Sequence, residues 1–150
     1  MFNLFSLQLT KNGVSILLKS LFDATTVNKP AVKKEEIRLL SVVCATNTQS
    51  TTTHLTKIIT HIVKRLKDSD SGVRDSCCES IGHISFLYLK ADNNNLVGFV
   101  KPLFEAMNGQ NKWVQSGAAT CMGKMVEMAY DLPVLAFQKL CGRICKFLNK

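Results

Sequence analysis

Residues 41 positions apart resemble one another along most of this 150-residue chain. Val32, Val73 and Val114 align. So do Ile37, Cys78 and Ala119; Leu40, Ile81 and Met122; and Val43, Ile84 and Met125. Upstream, Leu21, Ile62 and Leu103 align, and Ile144 opens a fourth copy. A fixed period near 40 residues marks an α-solenoid, in which each helical hairpin buries its apolar face only against its neighbours. The expected fold is therefore all-α, about three and a half hairpins long. Chains built this way act chiefly by presenting surface.

The 3.6-residue spacing of apolar positions predicts seven helices. They cover about residues 13–23, 31–46, 55–67, 73–90, 97–107, 112–129 and 133 to the end. Val14, Leu17, Leu18 and Leu21 form the inward face of the first, Val32, Ile37, Leu40 and Val43 that of the second, and Ile58, Ile59, Ile62 and Leu66 that of the third. Asn28-Lys29-Pro30 separates the first two helices, since proline is tolerated at a helix start. The polar, β-branched stretch 46–53 reads as a loop. Asp68-Ser69-Asp70-Ser71-Gly72 is a tight turn whose side chains can cap the next helix. Pro102 falls inside the fifth helix, where a kink is expected. Segment 1–12 is divergent, and the array 13–150 stops within its fourth unit, so Leu140, Ile144, Phe147 and Leu148 are expected to lack an intramolecular partner or to mediate self-association.

Charge narrows the partner class. With 19 Lys/Arg against 11 Asp/Glu, the formal charge is +8, which favours acidic partners. The six cysteines show no C-x-x-C pairs and fall mostly on apolar stripes. They read as reduced core thiols of an intracellular protein. The N-terminus lacks a basic n-region, and no run reaches the length of a membrane span, so neither a signal peptide nor a membrane partner is expected.

The segment from Ile59 to Leu89 resembles a HEAT repeat, with Asp68 and Arg74 at the positions where that family commonly places an Asp and an Arg. By that resemblance, both are structural, tying one repeat to the next. IVKRLKDSDSGVRDSCCESIG (62–82), VKPLFEAMNGQNKWVQSGAATCMGKMVE (100–127) and PVLAFQKLCGRICKFLN (133–149) together resemble the N-terminal domain of the plant TORTIFOLIA/SPIRAL family of microtubule-associated proteins. The resemblance covers about residues 13–150. It implies a TOG-like HEAT array that binds tubulin or microtubules, sits on the cytoplasmic cytoskeleton, and contributes to cortical microtubule organisation and directional cell growth. Family members usually carry a helix before the Gly13-Val14 segment and continue past the fourth repeat into a basic region. This chain departs from that pattern at both ends.

The edge formed by the turns inside each hairpin carries Lys29, Lys33, Lys34, Lys67, Arg74, Lys112 and Trp113. TOG-type arrays use that edge on tubulin, so Lys29, Lys33, Lys34, Lys67, Lys112 and Trp113 are the candidate contacts. The alternative for each lysine is a solvated loop, with Asp68, Asp70 and Asp75 cancelling part of the charge. Trp113 aligns with Gly72. It is either an exposed hot spot or a lid folded over the helix pair. Lys64, Arg65 and Lys67 also complement a helix C-terminus. Lys139, Arg143 and Lys146 read as the solvent side of the last helix.

Catalysis finds little support. His54, His61 and His83 are scattered, Cys141 and Cys145 lie one turn apart with no histidine near, and no phosphate-loop or nucleophile-elbow motif occurs. Gly82 and Gly123 read as close helix packing. No cofactor or metal is expected. The leading expectation is a non-enzymatic microtubule-binding module. The alternative is a generic HEAT adaptor that takes a peptide in an inter-helix groove. Nucleic-acid binding ranks below both, for want of stacking aromatics.

Overall fold

The computed structural model describes residues 9–24 and 29–149, apart from the side chain of Phe147. Most of segment 1–12, together with Asn28, the Phe147 side chain and Lys150, lies outside the described residues. Among the described residues eight α-helices follow in order: α1 Lys11–Asp23, α2 Pro30–Thr46, α3 Thr48–Thr51, α4 Leu55–Lys64, α5 Ser71–Ala91, α6 Leu96–Met107, α7 Lys112–Glu127 and α8 Val134–Leu148. Short 3-10 turns join α3 to α4, extend α4 and α7, and precede α6. No strand occurs among the described residues. The arrangement is all-helical and consistent with an α-solenoid.

Side-chain caps set where the helices begin. Thr10 Oγ1 accepts from the Gly13 N–H at 3.0 Å, Asp70 Oδ1 from Val73 N–H at 2.9 Å, and Asn111 Oδ1 from Val114 N–H at 3.1 Å. Each satisfies one of the donors left unpaired in a first helical turn. Helix α2 begins instead with Pro30, which has no N–H to satisfy. Helix α6 runs uninterrupted through Pro102, whose ring is buried.

Helix α5 lies between α2 and α7, and α6 packs on α4, α7 and α8. The core runs lengthwise between these layers. Ile37, Leu40, Ile58, Ile59, Ile62, Leu66, Ile81, Ile84, Tyr88, Phe99 and Leu103 are fully buried or nearly so. Each such side chain contributes roughly 1.5–3 kcal/mol of transfer free energy.

Four sequence expectations need correction. The stretch 46–53 is largely helical, because its threonine hydroxyls donate to carbonyls one turn back instead of competing with the helix. Thr46 bonds Val42 O, Thr48 bonds Cys44 O, Thr51 bonds Asn47 O and Thr52 bonds Thr48 O, each at 2.8 Å. The buried Thr51 hydroxyl also pairs with the Tyr88 hydroxyl, which draws the segment into the core. Second, Val32 is 45 % exposed, whereas its aligned residues Val73 and Val114 are buried; α2 packs only lightly on α1, while α5 is flanked by α2 and α7 and α7 packs closely on both α5 and α6. Third, Leu140 is fully buried and Ile144 packs against the core, since α8 rests on α6 and α7. Leu148 is exposed. Fourth, Gly82 and Gly123 differ.

That difference gives a test of the packing. A Cβ on Gly82 would stand 3.1 Å from Lys124 Cβ and Met128 Sδ, one on Gly117 would stand 2.8 Å from Leu66 Cδ2, and one on Gly123 would meet nothing within 4 Å. Gly123→Ala is expected to stabilise the chain by about 1 kcal/mol, the helix-propensity gain in open space. Gly117→Ala is expected to destabilise it by about 1–3 kcal/mol, because Leu66 is fully buried and cannot yield freely. Urea denaturation followed by circular dichroism distinguishes the two signs.

Candidate functional site: a corner edge with one tryptophan

The turns between α4 and α5 and between α6 and α7 are joined to their neighbours by side chains. Lys33 on α2 reaches the Asp68 carboxylate at 2.5 Å, and both side chains are largely shielded. Asp68 Oδ1 also accepts from the Asp70 N–H at 2.9 Å. The Lys33 hydrogen bond holds the Asp68 carboxyl below the usual carboxylate range, outweighing its desolvation. Arg74 Nη1 donates to the carbonyls of Asp68 at 2.7 Å and Ser69 at 3.0 Å. Its guanidinium lies over the Trp113 ring, 4.7 Å from the centroid.

One hairpin later, Gln115 repeats half of this arrangement. It aligns with Arg74 and donates from Nε2 to Gly109 O, the counterpart of Asp68 O. Lys34 rests over Gly72, since a Cβ there would stand 2.5 Å from the Lys34 Nζ. Successive corners thus carry a cation from the preceding hairpin over the second residue of the next helix. At the first of these corners that residue is glycine, and at the second it is tryptophan.

The expected contact residues divide accordingly. Lys29, Lys34, Lys67, Lys112 and Trp113 are exposed, Trp113 at 48 %. Lys33 is engaged by Asp68 and is not a free cation. Asp68 and Arg74 both make contacts within or between turns. Trp113 is neither a closed lid nor a free ring: one face carries Arg74, and nearly half of its surface remains open.

A second polar cluster escapes sequence reading. Glu36 on α2 is buried; its Oε1 lies 2.5 Å from His61 Nε2, and its Oε2 accepts from Arg65 Nη2 at 2.6 Å. Phe22 packs on the His61 ring at 5.1 Å, which brings α1, α2 and α4 together. The signal was present in the repeat: Glu36 aligns with Cys77 and Ala118, both fully buried. Arg65 is therefore spent inside the fold, while Lys64 and Lys67 are exposed.

Burial pushes the Cys44 thiol up to about 11 and that of Cys77 to about 12, so both remain protonated, apolar core groups. Among the described residues, no group of three His, Cys, Asp or Glu is placed to hold a metal ion, and no helix is long and apolar enough to cross a membrane.

Comparison with known proteins identifies the family. Residues 4–150 match the family described as TORTIFOLIA1 N-terminal. "Microtubule-associated protein TORTIFOLIA1" from Arabidopsis thaliana is 55% identical over 150 residues, covering 94% of this chain and 17% of the relative. "TORTIFOLIA1-like protein 1" from the same organism is 54% identical over 143 residues, covering 89% and 17%. "TORTIFOLIA1-like protein 2" is 39% identical over 144 residues, covering 94% and 18%. The chain spans less than a fifth of the length of these curated relatives. From the family match and these identities, the chain belongs to the TORTIFOLIA1 N-terminal family.

Proposed function

We propose that this chain is a non-enzymatic module of HEAT-type hairpins that binds microtubules through its corner edge. Helices α2, α5 and α7 begin at Pro30, Ser71 and Lys112, a spacing that supports the 41-residue repeat. A relative named as a microtubule-associated protein supports the partner. The observation that carries the reading is the composition of the edge: Lys29, Lys34, Lys67 and Lys112 are exposed beside a half-exposed Trp113, while neighbouring Lys33 and Arg74 are held in the fold. Exposed cations steer encounter with the acidic surface of tubulin, and the tryptophan supplies desolvated contact area. The whole protein would then sit on the cytoplasmic microtubule cytoskeleton and contribute to cortical array organisation and directional growth.

Cosedimentation of the chain with polymerised tubulin over a salt series tests this. Binding is expected to weaken steadily with ionic strength. Replacing Lys34, Lys67, Lys112 and Trp113 together by Ala is expected to weaken it by roughly 30-fold or more, since a truncated hot-spot residue alone costs ~2 kcal/mol or more. Binding that is indifferent both to salt and to the fourfold change rejects this edge.

An adaptor role is the second reading, and one observation favours it. An open groove of about 640 Å³ runs between α6 and α8, lined by Val97, Val100, Met107, Lys101 and Arg143 among others. A peptide that binds there would compete with tubulin little, because none of Lys29, Lys34, Lys67, Lys112 and Trp113 lines the groove.

A further inference from the structure

Resting on the microtubule reading, we infer that Arg74 is a positioning residue for Trp113, and that the two form a preformed anchor for an apolar feature ringed by carboxylates on the acidic partner. Three observations carry this. The Arg74 guanidinium is tethered, since Nη1 donates to two carbonyls of its own turn at 2.7 and 3.0 Å. It covers one face of the indole at 4.7 Å. The ring is nonetheless 48 % exposed, so the remaining surface is offered outward in a fixed orientation.

An aromatic ring on a surface loop ordinarily loses side-chain entropy when a partner orders it. A ring already stacked loses less, which is how preorganisation raises affinity. Neighbouring charge defines the partner. Lys112 precedes the ring in sequence, and Lys67 lines the shallow cavity at the same corner with Glu105, Gly109 and Asn111. The matching surface is therefore an apolar side chain or peptide plane flanked by Asp or Glu. At the preceding corner Gly72 stands where the tryptophan would be, under Lys34. That corner can attract but cannot insert.

The repeat supplies a variant that separates positioning from turn support. Gln115, aligned with Arg74, holds its own turn through Gly109 O. Arg74→Gln therefore keeps a donor for the Asp68 carbonyl while removing the cation from the indole. Trp113 is the chain's one tryptophan, so its fluorescence reports on this site alone. In Arg74→Gln, acrylamide quenching of Trp113 is expected to rise and its anisotropy to fall, with Tm nearly unchanged. Arg74→Lys is expected to restore part of the shielding. Microtubule affinity should fall roughly three- to five-fold in Arg74→Gln, the loss corresponding to an exposed cation–π contact. In a Trp113→Ala background the same change should cost nothing further, since the two residues act as one unit.

Unchanged quenching in Arg74→Gln, or an equal affinity loss with and without Trp113, overturns the inference. Failure of the microtubule reading appears separately, as no binding by the unaltered chain. In that case the quenching comparison still decides whether Arg74 positions the ring, and the anchor is rejected for tubulin.

Discussion

Replacing Glu36 by Ala is expected to cost about 3–5 kcal/mol of folding stability, the range for removing one partner of a buried ion pair. The carboxylate accepts from Arg65 and meets His61 at 2.6 and 2.5 Å inside the packed layers. Without it, the Arg65 guanidinium keeps a charge that is largely shielded from water and loses its carboxylate partner. The lost interaction is not the whole effect. Uncompensated desolvation of Arg65 dominates, which is why Glu36→Gln, with one acceptor retained, is expected to cost clearly less. The phenotype should be local as well. Because Glu36 joins α2 to α4 across the first hairpin boundary, hydrogen exchange in α1 and α2 should accelerate more than in α7. Chemical denaturation with site-resolved exchange checks both statements. A stability loss below 1 kcal/mol would show that the cluster is solvated.

Phe99→Ala is expected to have an effect of similar size, about 3–5 kcal/mol, for a different reason. The ring is fully buried on α6 and sits 6.4 Å from the Tyr88 ring on α5. Its removal loses transfer free energy and leaves a cavity in a close-packed interior that relaxes only partly. Val97→Ala on the same helix is the control. Val97 is 61 % exposed, so the change is expected to lie within about 0.5 kcal/mol. The comparison isolates burial from helix propensity, because both substitutions place alanine in α6. Urea midpoints measure it.

How much of this was legible in the sequence depends on whether a feature is local. The turn before α5 was legible because its Asp and Ser side chains carry capping chemistry, although α5 begins at Ser71, two residues ahead of the expected Val73; the start of α7 at Lys112 is as expected, with Asn111 as its cap. Aligned apolar positions placed most of the core, Ile62, Ile81 and Leu103 among them. The threonine-rich stretch after α2 misled because threonine propensity is set by a competition. Here each hydroxyl bonds back along the helix, and Tyr88, distant in sequence, absorbs Thr51. Glu36 went unnoticed because it ends a run of four charged residues, Lys33-Lys34-Glu35-Glu36. The structure splits that run: Glu35 pairs with Arg38 on the surface, Lys33 with Asp68, and Glu36 turns inward.

The edge residues show the same division. From sequence alone, Lys29, Lys33, Lys34, Lys67, Lys112 and Trp113 are expected on one edge, since all lie in or beside the turn within a repeat. Spacing could not tell which cations were already taken. Lys33 looked the same as Lys34 in composition, yet one faces Asp68 and the other solvent. The stacking of Arg74 on Trp113 crosses a hairpin boundary and depends on side-chain reach, which no spacing rule supplies.

The most direct test of the account removes equal charge from two places. One variant carries Ala at Lys34, Lys67 and Lys112 on the corner edge. The other carries Ala at Lys139, Arg143 and Lys146 on α8, all exposed. Each loses three cations, so any effect of net charge is shared. With tubulin polymer at physiological salt, the edge variant should lose roughly ten-fold or more in affinity, about 0.5 kcal/mol or more per surface charge, while the α8 variant changes little. Equal losses in the two variants would contradict the corner edge as the binding surface.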